Sequence, residues 1–364
     1  MHYTKLNPNS FFDNSTLSLE QTELFNKTNY FGHKLMVPEH GSYFALRQPN
    51  ENKVLINDQG IIRVLSNICQ HRNARMLSNR GTISSIVCPI HRWTYDLQGH
   101  LIGAPNWENL PKTCLPEEKH TDWNGLLFNQ LANSSHKQLL NCPYSKCFSF
   151  ANYCFHSLET QLCNYNWKTF IEVYLDDYHV NPFHPGLGNF VDCNKLKWFF
   201  CNSFSVQAVG ISEFKQKGTS TYKKWQDQVI NFHKGSDLEW GAVWMLIYPN
   251  IMVEWYPQTV VVSTLYPLEP QKTLNITEFY YAEEIALFNE EYVQSQKEAY
   301  RETAREDDEI AERMDQGKQS MLTENKLNTN FLHSTLERGI PEFYRYLNES
   351  SSTSLRKKYF EPSV

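Results

Sequence analysis

The chain has 364 residues, 41% of them hydrophobic and 20% charged, which excludes a disordered chain and leaves enough length for two domains of ordinary size. With 34 Lys plus Arg against 40 Asp plus Glu the formal charge is -6, an acidic balance that gives no footprint for nucleic acid. The cysteines number nine, an odd count, with no Cys-x-x-Cys pair, so a disulfide framework is excluded as well. The first residues lack the basic start and apolar run of a secretory signal, and no stretch approaches the roughly 18 apolar residues of a membrane span. A cytoplasmic protein with free thiols and no membrane association is expected.

In chain order, residues 1–29 form a polar, Asn-rich N-terminal segment expected to pack on the second domain, with a helix predicted at Leu17–Phe25 behind the capping-box-like Ser18-Leu-Glu-Gln21. Residues 30–135 carry short β-like runs at Tyr43–Leu46, Lys53–Ile56 and Ile61–Leu65; the last two flank Asn57-Asp58-Gln59-Gly60, a hairpin signal. A small all-β domain is predicted there, with residues 131–150 as a connection. Residues 136–364 mix strands with helices. Strands are predicted at Ala242–Tyr248, Met252–Trp255 and Val260–Leu265, each soon followed by a proline, at 249, 257 and 267. A long helix is predicted over 281–316, because Ile285, Phe288, Tyr292, Ala299, Ile310 and Met314 recur at whole-turn spacings. The fold class is α+β.

Chemistry concentrates in two places. Cys69-Gln-His71 and, sixteen residues on, Cys88-Pro-Ile-His91 put one thiol and one imidazole on each of two loops. Two thiolates on one iron and two imidazoles on the other make a Rieske 2Fe-2S centre. A structural zinc site also uses two of each, but usually pairs like ligands within a loop. Arginines at 63, 72, 75, 80 and 92 surround this segment without one Asp or Glu between Gln59 and Tyr95, a candidate positive cap for docking an acidic electron donor.

The second place is Asn166-Trp-Lys-Thr-Phe-Ile-Glu172-Val-Tyr-Leu-Asp176-Asp-Tyr-His179-Val-Asn-Pro-Phe-His184-Pro-Gly. If 167–179 is helical, Glu172, Asp176 and His179 share a face, and Pro182 and Pro185 let His184 turn back toward His179. Two imidazoles and one carboxylate form the facial triad of a non-haem Fe(II) oxygenase. For the carboxylate, a helical wheel puts Glu306 and Asp307 at the border of the buried stripe and Asp308 on the far side, without separating the first two.

Together these segments resemble the large (alpha) subunit of Rieske non-haem iron oxygenases, the aromatic-ring-hydroxylating dioxygenase family, over essentially the whole chain. The resemblance implies an N-terminal Rieske domain and a C-terminal helix-grip catalytic domain of antiparallel sheet and helices. It implies Cys69, His71, Cys88 and His91 on the 2Fe-2S cluster, and His179, His184 and Asp307 on mononuclear iron. The choice of Asp307, with Glu306 beside it, comes from the family's late Glu-Asp pattern. Asp176 is implied as the electron-transfer bridge to the cluster ligand His91 of a neighbouring subunit in a homotrimer. Two departures stand out: Glu172-Val173 replaces the family's Glu-Asn, and Arg92-Trp93 replaces Gly-Trp.

The activity implied is hydroxylation by O2, with electrons from a reductase or ferredoxin and NAD(P)H acting only indirectly. Trp244, Met245, Tyr248, Glu254, Trp255 and Tyr256 are candidate pocket walls. An aromatic substrate is expected first, and oxidation or demethylation of a quaternary ammonium or other methylated compound second. A Rieske electron carrier would not need residues 136–364, and a zinc-stapled scaffold would contain no labile sulfide.

Overall fold

The computed structural model describes residues 5–26, 29–47, 49–129, 138–213, 217–233, 238–324 and 331–360. Residues 130–137, which hold the expected domain boundary and the start of the expected connection, lie outside them. The chain divides into two compact units, 28–136 and 1–27 with 137–364.

The smaller unit is all β. Its four-stranded sheet runs β4-β3-β2-β5, from Ser42–Ala45 (β2), Lys53–Asp58 (β3), Ile61–Ser66 (β4) and Arg80–Thr82 (β5). The β3–β4 hairpin turns on Gln59 and Gly60, at φ 53° and 90°, the two left-handed residues that a tight hairpin of native twist requires. Ile86–Val87 (β6), Thr94–Tyr95 (β7) and Leu101–Gly103 (β8) form a second small sheet. Val54, Ile56, Leu65, Ile86, Trp93 and Tyr95 pack with Cys69 and Cys88 in one apolar core.

The larger unit is built on a seven-stranded antiparallel sheet. In spatial order its strands are Tyr153–Cys163 (β11), Lys272–Ala282 (β17), Thr259–Glu269 (β16), Ile251–Tyr256 (β15), Trp240–Ile247 (β14), Phe204–Ile211 (β13) and Val191–Phe200 (β12). Two apolar clusters occupy one face. Toward one end Trp244, Tyr256, Val261 and Phe279 pack under the helices Ser220–His233 and Glu290–Thr323. Toward the other, Leu246, Tyr248, Met252 and Leu265 meet Trp167, Ile171, the C-terminal helix residues Phe343 and Leu347, and Phe11 and Leu24 of the N-terminal segment.

Several sequence expectations shift. The first helix begins at Asn14, because the Asp13 carboxylate accepts from the backbone N–H groups of Ser15 and Thr16, and Ser18 is therefore inside it. Strand β16 continues through Pro267, whose missing N–H costs no pairing because β15 ends opposite Thr264. The late helix is two helices, Glu283–Phe288 and Glu290–Thr323, separated by Asn289, whose side chain caps the second. Phe288 leaves the stripe and is 85% exposed. No helix among the described residues is long and apolar enough to cross a membrane.

The long helix is fixed along its axis by a buried polar clasp. Asp315 accepts from the Asn166 backbone N–H at 2.8 Å and from the Thr169 hydroxyl, while Lys318 reaches Asp315 at 3.1 Å and Glu172 at 2.9 Å. Tyr344 donates to the other Glu172 oxygen at 2.5 Å. Asp315→Ala would leave Lys318 and the Asn166 N–H without that partner; breaking a buried pair from one side costs about 3–5 kcal/mol. Denaturant unfolding of the purified protein should show a destabilisation of that order, and a change within about 0.5 kcal/mol would show the clasp to be incidental.

Candidate functional site

The two cysteine loops of the smaller unit share one backbone design. The Cys69 N–H donates to Ala74 O and the Asn73 N–H returns to Cys69 O; the Cys88 N–H donates to Trp93 O and the Arg92 N–H returns to Cys88 O. Each loop therefore closes five residues after its cysteine, and each fourth residue is left-handed, Asn73 at φ 58° and Arg92 at φ 61°. That geometry favours glycine, the residue the resemblance leads one to expect where this chain has Arg92: a β-carbon there is disfavoured by about 1 kcal/mol. Both cysteines are buried, and with His71, Arg72, Ala74, Ile90 and His91 they line one hollow.

The Cys69 sulfur lies 3.4 Å from the Tyr95 hydroxyl, which also accepts the Gln70 N–H at 3.0 Å. The His71 ring stacks on Trp93 and meets His91 edge-on at 4.6 Å between centroids. Its Nδ1 is buried with no hydrogen-bond partner among the described residues, as a metal-ligating nitrogen would be before the metal is added. This donor set fits a 2Fe-2S cluster. The positive cap is smaller than expected, because Arg63 pairs with Asp58 and Glu117 and Arg75 with Glu51. Arg72 remains at the hollow.

In the larger unit the helix Trp167–Tyr174 ends before the acidic pair, with Leu175 as its C-cap. Glu172 consequently turns into the clasp and shares no helical face with Asp176 and His179, contrary to expectation. Asp176 caps the turn that follows, accepting from the Tyr178 N–H at 2.7 Å. The short helix Val180–Phe183 then delivers His184, which is only 1% exposed. Gly186 lets Tyr222 approach: a β-carbon there would lie 2.1 Å from the Tyr222 ring.

His179, His184 and Asp307 each offer one atom to a common point, all within 4.8 Å of one another. Asp307 Oδ1 is 3.4 Å from His179 Nε2 and 3.0 Å from His184 Nε2, and the two Nε2 atoms are 3.0 Å apart. Behind each imidazole stands a carboxylate. His179 Nδ1 lies 3.1 Å from Asp176 and His184 Nδ1 lies 2.7 Å from Glu306. Asp308 is held elsewhere, accepting from Gln161 and Tyr165.

Burial alone would make both histidines less basic, but the neighbouring carboxylates prevail: His179 is pushed up to about 10, by Asp176 and Asp307, and His184 is also raised. Burial likewise opposes ionisation of Asp307, yet bonds from the two histidines hold it below its ordinary value. The pocket thus demands positive charge, and two Nε2 atoms plus one carboxylate suit a divalent iron.

A cavity opens beside these three residues. Of the expected walls, Trp244, Glu254 and Tyr256 line it. Met245 and Trp255 do not, because side chains alternate along strands β14 and β15 and these two project to the opposite face. Tyr248 lies beyond the end of β14, against Phe343 and Tyr346. Sequence reasoning missed Tyr174, Trp225, Tyr300 and Asp177 as further walls; the doubled Asp176-Asp177 was a visible signal for the last.

Two sites of this kind in one chain define its class, a non-haem iron oxygenase fed through a Rieske cluster. Residues 142–352 match the family described as "Ring hydroxylating alpha subunit (catalytic domain)" and residues 19–114 match "Rieske [2Fe-2S] domain". The chain belongs to this ring-hydroxylating alpha-subunit family, and it is an oxidoreductase carrying a 2Fe-2S cluster and a mononuclear iron.

Putrescine 2-hydroxylase of Ralstonia nicotianae is 46% identical over 345 residues, 94% of either chain, and that of Bordetella bronchiseptica 41% over 94% of this chain and 84% of the relative. The carnitine monooxygenase oxygenase subunit of Escherichia coli K12 is 24% identical over 82% and 79%. Among solved structures, a quaternary ammonium Rieske monooxygenase superposes with a TM-score of 0.76 at 20% identity, covering 96% of both chains. Naphthalene 1,2-dioxygenase from Rhodococcus sp. superposes at 0.70 with 14% identity over 97% and 95%.

Asp307→Ala should abolish retention of mononuclear iron while leaving the cluster absorbance intact, measured by iron and labile-sulfide analysis. Glu306→Gln should weaken iron binding by about 10–100-fold, the effect usual for a residue that orients a ligand. Full iron retention in Asp307→Ala would move the assignment to another carboxylate.

Proposed function

We propose that this oxygenase hydroxylates a small aliphatic amine, bound as its ammonium ion, in place of the aromatic substrate expected first. One observation carries the reading: Asp176, Asp177, Glu254, Asp307 and Asp308 all line the cavity, and among the described residues no Lys or Arg does. Bound iron would take up the charge of Asp307, Asp176 stands beside His179, and Asp308 accepts from Gln161 and Tyr165. Burial pushes Glu254 up to about 7 and Asp177 up to about 8, so these two are the carboxyls that an adjacent cation would return to the charged form. A neutral arene gains nothing from them, whereas an ammonium gains charge-assisted bonds. The naming of two relatives as putrescine 2-hydroxylases supports the same class, a short diamine.

Glu254 is the preorganised anchor. Tyr256 donates to one oxygen at 2.8 Å and Tyr300 to the other at 3.3 Å, so the carboxylate is held in place before a substrate arrives. Burial pushes it up to about 7, and an adjacent ammonium would return it to the charged form. Trp244, Tyr256 and Trp225 offer aromatic faces to the rest of a cation. Those faces also favour a second reading, a quaternary ammonium substrate, in keeping with the carnitine relatives.

In this scheme Cys69 and Cys88 hold one cluster iron and His71 and His91 the other, while His179, His184 and Asp307 hold the mononuclear iron. When bound, the cluster supplies single electrons from a reductase or ferredoxin, ultimately from NAD(P)H, and the ferrous centre activates dioxygen. The overall change is R–H + O2 + 2e⁻ + 2H⁺ → R–OH + H2O. Asp176 keeps His179 oriented and bridges toward a neighbouring subunit's cluster in a homotrimer; His91, exposed on the smaller unit, suits that role. A cytoplasmic setting fits the free thiols.

Oxygen uptake and product mass, measured with a generic reductase over a panel of amines, quaternary ammonium compounds and arenes, tests the reading. A short diamine should gain one oxygen atom, and Glu254→Gln should raise its KM by about tenfold or more. Turnover of arenes with no turnover of amines would overturn it. Asp176→Asn should keep both metals yet slow turnover at saturating substrate, and normal turnover would remove the bridge.

A further inference from the structure

We infer that Asp177 reads the N–H groups of the substrate's ammonium and thereby selects a primary amine over a quaternary one; the inference rests on the amine reading above and names which amine. Asp177 is 2% exposed and lines the cavity. Neither of its carboxylate oxygens has a hydrogen-bond donor among the described residues. The other cavity carboxylates all have partners: Asp176 the Tyr178 N–H, Glu254 two tyrosine hydroxyls, Asp307 two imidazoles, and Asp308 Gln161 and Tyr165. The Asp177 backbone is not free to withdraw, because its N–H donates to Leu336 O at 2.9 Å.

A carboxylate that meets an ammonium is an acceptor with about four sites and no donor of its own. Among the described residues no Lys or Arg lines this cavity, and the neighbouring Asp176 adds further negative charge. An entering ammonium supplies the donors that Asp177 lacks among the described residues. A primary ammonium brings three N–H donors and a full charge in one small group. A quaternary ammonium brings the charge but no N–H, is satisfied by aromatic faces alone, and would leave both Asp177 oxygens bare. The aromatic walls by themselves accept either cation, and Asp177 is the feature that separates them.

Anaerobic titration calorimetry on the intact, iron-loaded enzyme tests this without turnover. Asp177→Asn should weaken binding of 1,4-diaminobutane by about tenfold or more and change that of butyltrimethylammonium by about twofold or less. Equal weakening of both, or of neither, overturns the inference. A second measurement uses the wild-type protein alone, along the series butylamine, N-methyl-, N,N-dimethyl- and N,N,N-trimethylbutylammonium. Affinity should fall as N–H groups are removed, and a flat or rising trend overturns the assignment even if the variant does not fold. Wild-type enzyme that binds no amine at all would defeat the amine reading itself, a result distinct from normal amine binding that ignores Asp177.

Discussion

The buried clasp of Asp315, Lys318, Glu172, Thr169 and the Asn166 N–H is the constraint on which the catalytic unit depends. A helix of 34 residues lying on a sheet can slip by a turn and still bury much the same apolar stripe. Buried charges cannot slip in that way, because a one-turn shift would separate Lys318 from Glu172 and leave each without its partner. Asp307 stands eight residues before Asp315, about 12 Å along the axis, so fixing one end of that interval fixes the other. The helix Trp167–Tyr174, which supplies the opposite half of the clasp, is also the element from which the chain turns toward His179 and His184. One polar clasp thus aligns both sources of the proposed iron ligands.

Electrostatics completes what register begins. Asp176 and Glu306 stand behind the two imidazoles and Asp307 stands between them, so three carboxylates face two neutral bases at one point. Those carboxylates are why both histidines are raised. A divalent cation held by these groups would balance the same excess. The same run of carboxyl groups continues into the cavity as Glu254 and Asp177, on which the proposed preference for an amine rests.

Much of this was legible from residue type and spacing. The Cys69–His71 and Cys88–His91 pairs name a cluster because few other centres combine two thiols and two imidazoles in that order, although the shared loop geometry behind them was not visible. Its trace, left-handed Asn73 and Arg92, is a backbone property that Arg in particular conceals. The wheel brought Glu306 and Asp307 to the inner border of the long helix, and the structure gives them different work. It failed where tertiary contacts overrode local pattern. The helix at 167 stops at Tyr174, and Asn289 with exposed Phe288 divides the late helix. The wall residues were half legible, since naming adjacent residues such as Trp244 with Met245 and Glu254 with Trp255 ignores the alternation that sends Met245 and Trp255 to the other face. The substrate class was least legible, because Tyr300, Trp225, Glu254 and Asp177 are scattered in sequence and only the fold collects two carboxyl groups and these aromatic rings around one cavity.

Iron anomalous diffraction from crystals of the anaerobically purified enzyme tests the central claim most directly. The account predicts two iron peaks between Cys69, Cys88, His71 and His91, and a third bounded by His179, His184 and Asp307, with Glu306 and Asp308 outside its coordination. Absence of the third peak in active enzyme, or iron bound by Glu306 or Asp308 in place of Asp307, would contradict it.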